Sequence, residues 1–82
     1  MASVYVYNLG VPGKNSVVVG LGDICCFFSK LQGVITVRIL EDKSGTSTGV
    51  GHVRFDTMER AKRALVHTGT IVAGRKIKLI LA

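Results

Sequence analysis

Residues 49–65 read Gly-Val-Gly-His-Val-Arg-Phe-Asp-Thr-Met-Glu-Arg-Ala-Lys-Arg-Ala-Leu and change their repeat partway along. As far as Phe55 the side chains alternate with the two-residue period of a β-strand. After Asp56 or Thr57, either of which can cap a helix, apolar residues recur at helical spacing. These apolar residues are Met58, Ala61, Ala64 and Leu65. The stretch therefore predicts a strand followed directly by an amphipathic helix.

The remaining chain carries the same two signals. β-branched and aromatic runs predict further strands at residues 4–7, 34–40 and 76–81. A first helix is predicted from an apolar stripe at Ile24, Phe27, Phe28 and Leu31, with Asp23 as its N-cap and Gly33 as its stop. Residues 41–48 are polar and predict a loop between the second and third strands.

The predicted order βαββαβ has one natural closure, because each element has one apolar side to bury. We expect an α+β, ferredoxin-like sandwich, in which two helices cover one face of a four-stranded antiparallel sheet. The other face of that sheet is expected to be open to solvent. Residues 15–22 contain two glycines and three valines, so we favour an irregular apolar loop there over a helix starting at Ser16.

Composition sets the class of protein. The 82 residues are expected to form one domain spanning residues 1–82, and the formal net charge is +6. Hydrophobic residues make up 48% and charged residues 20%, which is too apolar for intrinsic disorder. The longest uncharged stretch is too short to cross a bilayer, so no membrane partner is expected. The chain ends where the last predicted strand closes, which favours a domain taken from a larger protein, with a natural small protein as the alternative.

Catalytic and metal-binding patterns are missing from the sequence. The two cysteines, Cys25 and Cys26, are adjacent, and they allow neither a disulfide framework nor a four-ligand zinc site. We therefore expect a reduced, intracellular setting, with nucleus, cytoplasm and organelle left open. The sequence contains no Ser-His-Asp pattern and no phosphate-binding loop. No enzyme activity, cofactor or metal is predicted.

Two segments resemble the RNA recognition motif family. Residues 4–9, Val-Tyr-Val-Tyr-Asn-Leu, resemble its first-strand hexamer, and residues 48–55 resemble its third-strand octamer. Residues 28–31, 59–65 and 74–79 support the resemblance in the same order and at similar spacing. The octamer departs from the family pattern at Thr48, where a basic residue is usual. It departs again at Val50 and His52, where aromatic residues are usual.

The resemblance implies that the open sheet face binds single-stranded RNA, by limited base stacking together with phosphate contacts. Single-stranded DNA stays open as a ligand, because every base has a ring face. Strand alternation selects the residues that point outward on this face. The predicted RNA-binding residues are Tyr5, Tyr7, Arg38, Val50, His52, Arg54, Lys76 and Lys78.

A second hypothesis comes from the first helix and the loop before it. Cys25 and Cys26 stand where the family usually has charged residues, and Val18 and Leu21 precede them. Exposed uncharged surface of this kind often marks a protein contact, with a partner protein or with a second copy. The alternative is that these four residues are buried under the loop.

Overall fold

The computed structural model describes residues 2–82. Its larger sheet contains the strands β1 (Ser3–Tyr7), β2 (Val34–Glu41), β3 (Ser47–Phe55) and β6 (Lys78–Leu81). The helices are α1 (Leu21–Phe28) and α2 (Met58–Ala64), and a 3₁₀ turn at Leu65–His67 continues the second. The short strands β4 (Ile71–Val72) and β5 (Arg75–Lys76) form a separate hairpin.

The larger sheet is antiparallel, and its strands lie in the order β2-β3-β1-β6. Alternate residues of its strands, such as Val4, Val6 and Val53, are completely buried. They pack with Phe28 of α1 and Ala61 of α2 in a single hydrophobic core. Both helices therefore lie on one face of the sheet, and the predicted ferredoxin-like fold is confirmed. None of the described helices is long and apolar enough to span a membrane.

Helix α1 begins earlier and ends earlier than the sequence predicts. Its N-cap is Gly20, in an extended conformation, so the assignment of Asp23 as N-cap is wrong. Asp23 is instead in the first turn, where its carboxylate accepts a hydrogen bond of 3.0 Å from the Gly20 N–H. Gly33 is not the helix stop, because α1 ends at Phe28 and Ser29 is its C-cap. The predicted Thr57 cap of α2 is confirmed, with its side chain accepting from the Arg60 N–H.

The segment before α1 is irregular as far as Gly20, and Leu21 and Gly22 belong to the helix. Val19 anchors this loop, because it is completely buried and its N–H donates to the Leu9 carbonyl at 2.7 Å. The favoured loop prediction therefore holds for residues 15–20. It fails for the last two residues, where the helix has already started.

The strands differ from prediction at two places. The polar loop is shorter than expected, because β2 reaches Glu41 and β3 starts at Ser47. The single last strand predicted over residues 76–81 is wrong, since Lys76 pairs with Ile71 in the β4–β5 hairpin. Ile77 follows the hairpin and is buried in the core. The chain therefore enters the larger sheet only at Lys78.

Gly10 and Gly22 should respond in opposite directions to an added methyl group. Gly10 has φ +88, and a Cβ there would lie 2.7 Å from the Val17 carbonyl oxygen. We expect Gly10→Ala to lower the free energy of unfolding by about 1–3 kcal/mol. Gly22 lies in α1 with open space around it, so Gly22→Ala should raise stability by up to about 1 kcal/mol. Urea unfolding measures the free energy of unfolding of both variants. If Gly10→Ala and Gly22→Ala change it equally, the backbone geometry described at Gly10 is contradicted.

Candidate nucleic-acid interface

The face of the larger sheet that points away from the helices carries one row of side chains across all four strands. Strand register places Arg38 opposite His52, His52 opposite Tyr5, and Tyr5 opposite Ile80. At about 4.8 Å per strand, the row spans roughly 14 Å. Among the described residues no helix, loop or hairpin packs over this row, so its rings and charges meet solvent.

Tyr5 is at the centre of a small cluster of rings. Its ring centroid lies 5.2 Å from that of His52, with the two planes at 58°. Tyr7, two residues along β1, has its ring centroid 6.3 Å from that of Tyr5. All three side chains are half-buried rather than covered. The cluster offers two adjacent ring surfaces on neighbouring strands, a spacing that permits neighbouring bases to stack.

Positive charge surrounds the rings. Burial lowers the pKa of His52 below its usual value of 6.5, and the nearby Arg38 and Arg54 lower that pKa further. His52 is therefore predominantly neutral at pH 7, and the positive charge beside it comes from the two arginines. No acidic residue occurs on β1, β3 or β6, and β2 has only Glu41 at its last position. The face is consequently suited to an anionic ligand.

The structure places most of the predicted RNA-binding residues on this face. Lys78 is exposed opposite Tyr7, and Arg54 lies opposite Ser3 on one side and Thr36 on the other. Val50 is half-buried on β3, two residues before His52. These residues flank the row that contains Arg38, His52 and Tyr5.

Lys76 is the exception among the predicted residues. It is exposed, but it belongs to the β4–β5 hairpin and lies outside the larger sheet. Ile80 is the residue that the prediction left out. It is 41% exposed and is directly opposite Tyr5. The alternation of the last strand places Ile80 outward. Among the outward aliphatic residues the prediction included Val50, which occupies a position of the family octamer, and Ile80 has no such motif position.

A clamp around Asn8 holds the end of β1 in place. The Arg75 guanidinium donates to the Asn8 carbonyl and to the Asn8 side-chain oxygen, both at 2.8 Å. It also donates to the Val17 carbonyl at 3.2 Å, while the Asn8 amide donates to the Lys76 carbonyl at 2.7 Å. Asn8 itself has φ +71, a conformation that asparagine tolerates better than most residues. The clamp ties three chain segments together beside Tyr7, and no sequence pattern indicated it.

The residues of the second hypothesis are mostly on the surface. Cys25 and Cys26 are free and exposed on α1, and Leu21 is 48% exposed. Val18 is half-buried at the end of the loop. Burial of the cysteines and of Leu21 under the loop is therefore wrong, because that loop buries Val19 in the core instead.

The sequence model of the RNA recognition motif family matches residues 22–78, which is more than half of the chain. The chain belongs to the RNA recognition motif family. Fold comparison agrees with this membership. The second RNA recognition motif domain of yeast poly(U)-binding protein superposes with a TM-score of 0.83, covering 100% of this chain and 94% of that one at 21% identity. RNA binding protein PG1 gives a TM-score of 0.78 at 25% identity, covering 100% and 94% of the two chains.

Two plant proteins are similar in sequence to this RNA recognition motif chain. Nucleolin 1 of Oryza sativa subsp. japonica is 43% identical over 56 residues, which are 68% of this chain and 10% of that protein. Nucleolin 2 of Arabidopsis thaliana is 34% identical over 70 residues, which are 85% of this chain and 11% of that protein. The chain thus spans about a tenth of the length of these relatives.

The pKa of His52 tests the electrostatics of the face. In the free protein His52 should titrate below pH 6.5, the usual pKa of a histidine. Arg38→Met removes one neighbouring positive charge, so the imidazolium form becomes less unfavourable and the pKa of His52 should rise. Lys62→Met, on the exposed side of α2, is the matched control and should leave that pKa unchanged. Imidazole NMR shifts followed over pH give the result, and a value insensitive to Arg38→Met would contradict the account.

Proposed function

We propose that this chain is a binding module for single-stranded RNA and that RNA lies across the open face of the larger sheet. The observation that carries the proposal is the uncovered row in which Tyr5 and His52 are flanked by Arg38. Rings on such a face stack on bases, and cations hold phosphates. Arg54 and Lys78 extend the positive surface on either side of the row.

The composition of the face supports modest affinity with a large electrostatic share. Stacking contributes about 1–3 kcal/mol for each base on an aromatic ring. Tyr5 supplies one full aromatic ring, and His52 supplies a smaller ring. Val50 stands where the family usually has a third ring, and it offers an apolar contact without a π face. Three cations near the row then contribute contacts that weaken as salt rises.

The setting of the module is part of the proposal. Membership of the RNA recognition motif family supports a binding role rather than an enzymatic one. The likeness to the nucleolins supports a nuclear site of action within a longer protein, of which this chain forms one domain. Single-stranded DNA presents the same bases without the 2′-hydroxyl, so RNA and DNA of one sequence should be compared directly.

Tyr5 provides the sharpest test of stacking. Tyr5→Ala removes the ring and should weaken binding to a single-stranded RNA pool by roughly 5- to 150-fold, at low and high salt alike. Tyr5→Phe keeps the ring and is the matched control, so its affinity should stay near that of the unchanged protein. Lys78→Ala should weaken binding mainly at low salt and reduce the slope of log K against log salt by about 0.7.

Fluorescence anisotropy over a salt series, with circular dichroism to confirm folding, measures these effects. Lys62→Ala, on the far side of the molecule, is the control for Lys78→Ala and should leave the slope unchanged. If Tyr5→Ala and Tyr5→Phe bind RNA equally well, stacking on this face is excluded.

A further inference from the structure

A groove lies on the helical side of the molecule, opposite the proposed RNA surface. It has a volume of about 280 Å³ and lies between the turn that follows α1 and the end of α2. We call it the helical groove. It is lined by Lys30, Leu31, Gln32, Arg60, Arg63, Ala64, Val66 and His67. Its size is at the small end of ligand sites, which suits one large side chain better than a whole cofactor.

The helical groove is apolar on the inside. Ala64 is buried and Leu31 is half-buried, so both present carbon atoms at the base of the groove. Val66 is 80% exposed on the 3₁₀ turn, the highest exposure among the large hydrophobic residues of the described chain. When a partner covers an apolar side chain that is this exposed, the burial of its surface contributes favourably to the free energy of binding.

Positive charge lines the same groove, and no acidic residue lines it. Arg60 forms an ion pair with Asp56 at 2.8 Å, so its charge is already compensated within the protein. Arg63 has only a loose pair with Glu59, at 3.5 Å and with both side chains at least three-quarters exposed, which is worth little. Lys30 is exposed at the other edge of the groove. Lys30, which forms no ion pair among the described residues, and Arg63, whose pair with Glu59 is weak, can therefore meet carboxylates from a ligand.

Two contacts support the walls of the groove. The His67 ring meets the Phe27 ring edge-on, with centroids 5.6 Å apart, and this contact joins the 3₁₀ turn to α1. Arg60 crosses close to Gly33, where the glycine leaves no Cβ in its path.

We propose that the helical groove docks an acidic segment of a partner protein, with one large apolar side chain inserted beside Val66 and carboxylates paired to Lys30 and Arg63. A peptide fits these features better than RNA does. The floor is aliphatic, and the one ring at its edge, His67, is already engaged by Phe27. Lys30 and the weakly paired Arg63 match the few carboxylates of a peptide, whereas a nucleic-acid strand carries a phosphate at every nucleotide.

This site lies on the side of the molecule opposite to the row around Tyr5. The helices pack against one sheet face and the row occupies the other. A peptide in the helical groove and RNA on the sheet are therefore compatible in one molecule. Failure of either proposal leaves the other standing.

The test uses synthetic decapeptides with one central Trp, Phe or Leu and two glutamates on each side, added to the ¹⁵N-labelled chain. We expect at least one to give saturable shifts at Leu31 and at the Ala64–His67 backbone amides. Val66→Glu should weaken that binding by about tenfold or more, as for other central apolar contacts. Ile71→Glu is the matched control, because Ile71 is 69% exposed on the β4–β5 hairpin, outside the groove. The Ile71→Glu variant should bind the peptide with unchanged affinity.

Charge gives the second arm of the experiment. The same peptides with lysine in place of glutamate should not bind, and Arg63→Glu should weaken the acidic peptide several-fold. RNA affinity of Val66→Glu should equal that of the unchanged protein. The proposal is overturned if no acidic peptide saturates by about 1 mM, if the lysine peptides bind equally well, or if single-stranded RNA rather than peptide shifts the groove amides.

Discussion

The two-residue alternation of the larger sheet is the constraint on which both faces of the molecule depend. Because neighbouring side chains point to opposite faces, Val4 and Val6 enter the core while Tyr5 and Tyr7 turn outward. A one-residue slip in register would put the tyrosines against the helices and the valines in water. The burial of a few aliphatic side chains therefore fixes the position of every ring and cation on the opposite face.

The outer face of the larger sheet combines charged guanidinium groups with polar aromatic rings, which would oppose folding if they were buried in the core. Arg38 and Arg54 keep their charges in water, and their charges add to the effect of burial, which lowers the pKa of the neighbouring His52. The rings of Tyr5 and His52 lie close enough to form one platform. The Arg75 clamp on Asn8 then fixes the edge of β1 at which that platform ends.

Periodicity predicted most of the core and most of the outward residues, because residues such as Val53 and His52 differ in burial for reasons local to one strand. It failed at Lys76, which lies in the hairpin, and at Met58, which was assigned to the apolar stripe of α2 but is exposed. The ends of the helices were harder to predict from the sequence. Gly20 caps α1 through its backbone, with Asp23 reaching back to it, and a search for side-chain caps selects Asp23 itself. The β4–β5 hairpin is local, since Ile71 pairs with Lys76, but its two-residue strands are too short to show an alternating pattern. The Arg75 clamp instead depends on contacts between residues far apart in the chain. No local pattern in the sequence carries that information.

The most direct measurement is an NMR titration of the labelled chain with a short single-stranded RNA of mixed sequence. The account predicts that the largest shifts fall on β1 and β3, centred on Tyr5 and His52, and that the side chain of Ile80 shifts with them. The exposed side of α1, including Cys25 and Cys26, should stay unchanged. Shifts confined to the helices, with the row around Tyr5 unaffected at saturating RNA, would contradict it.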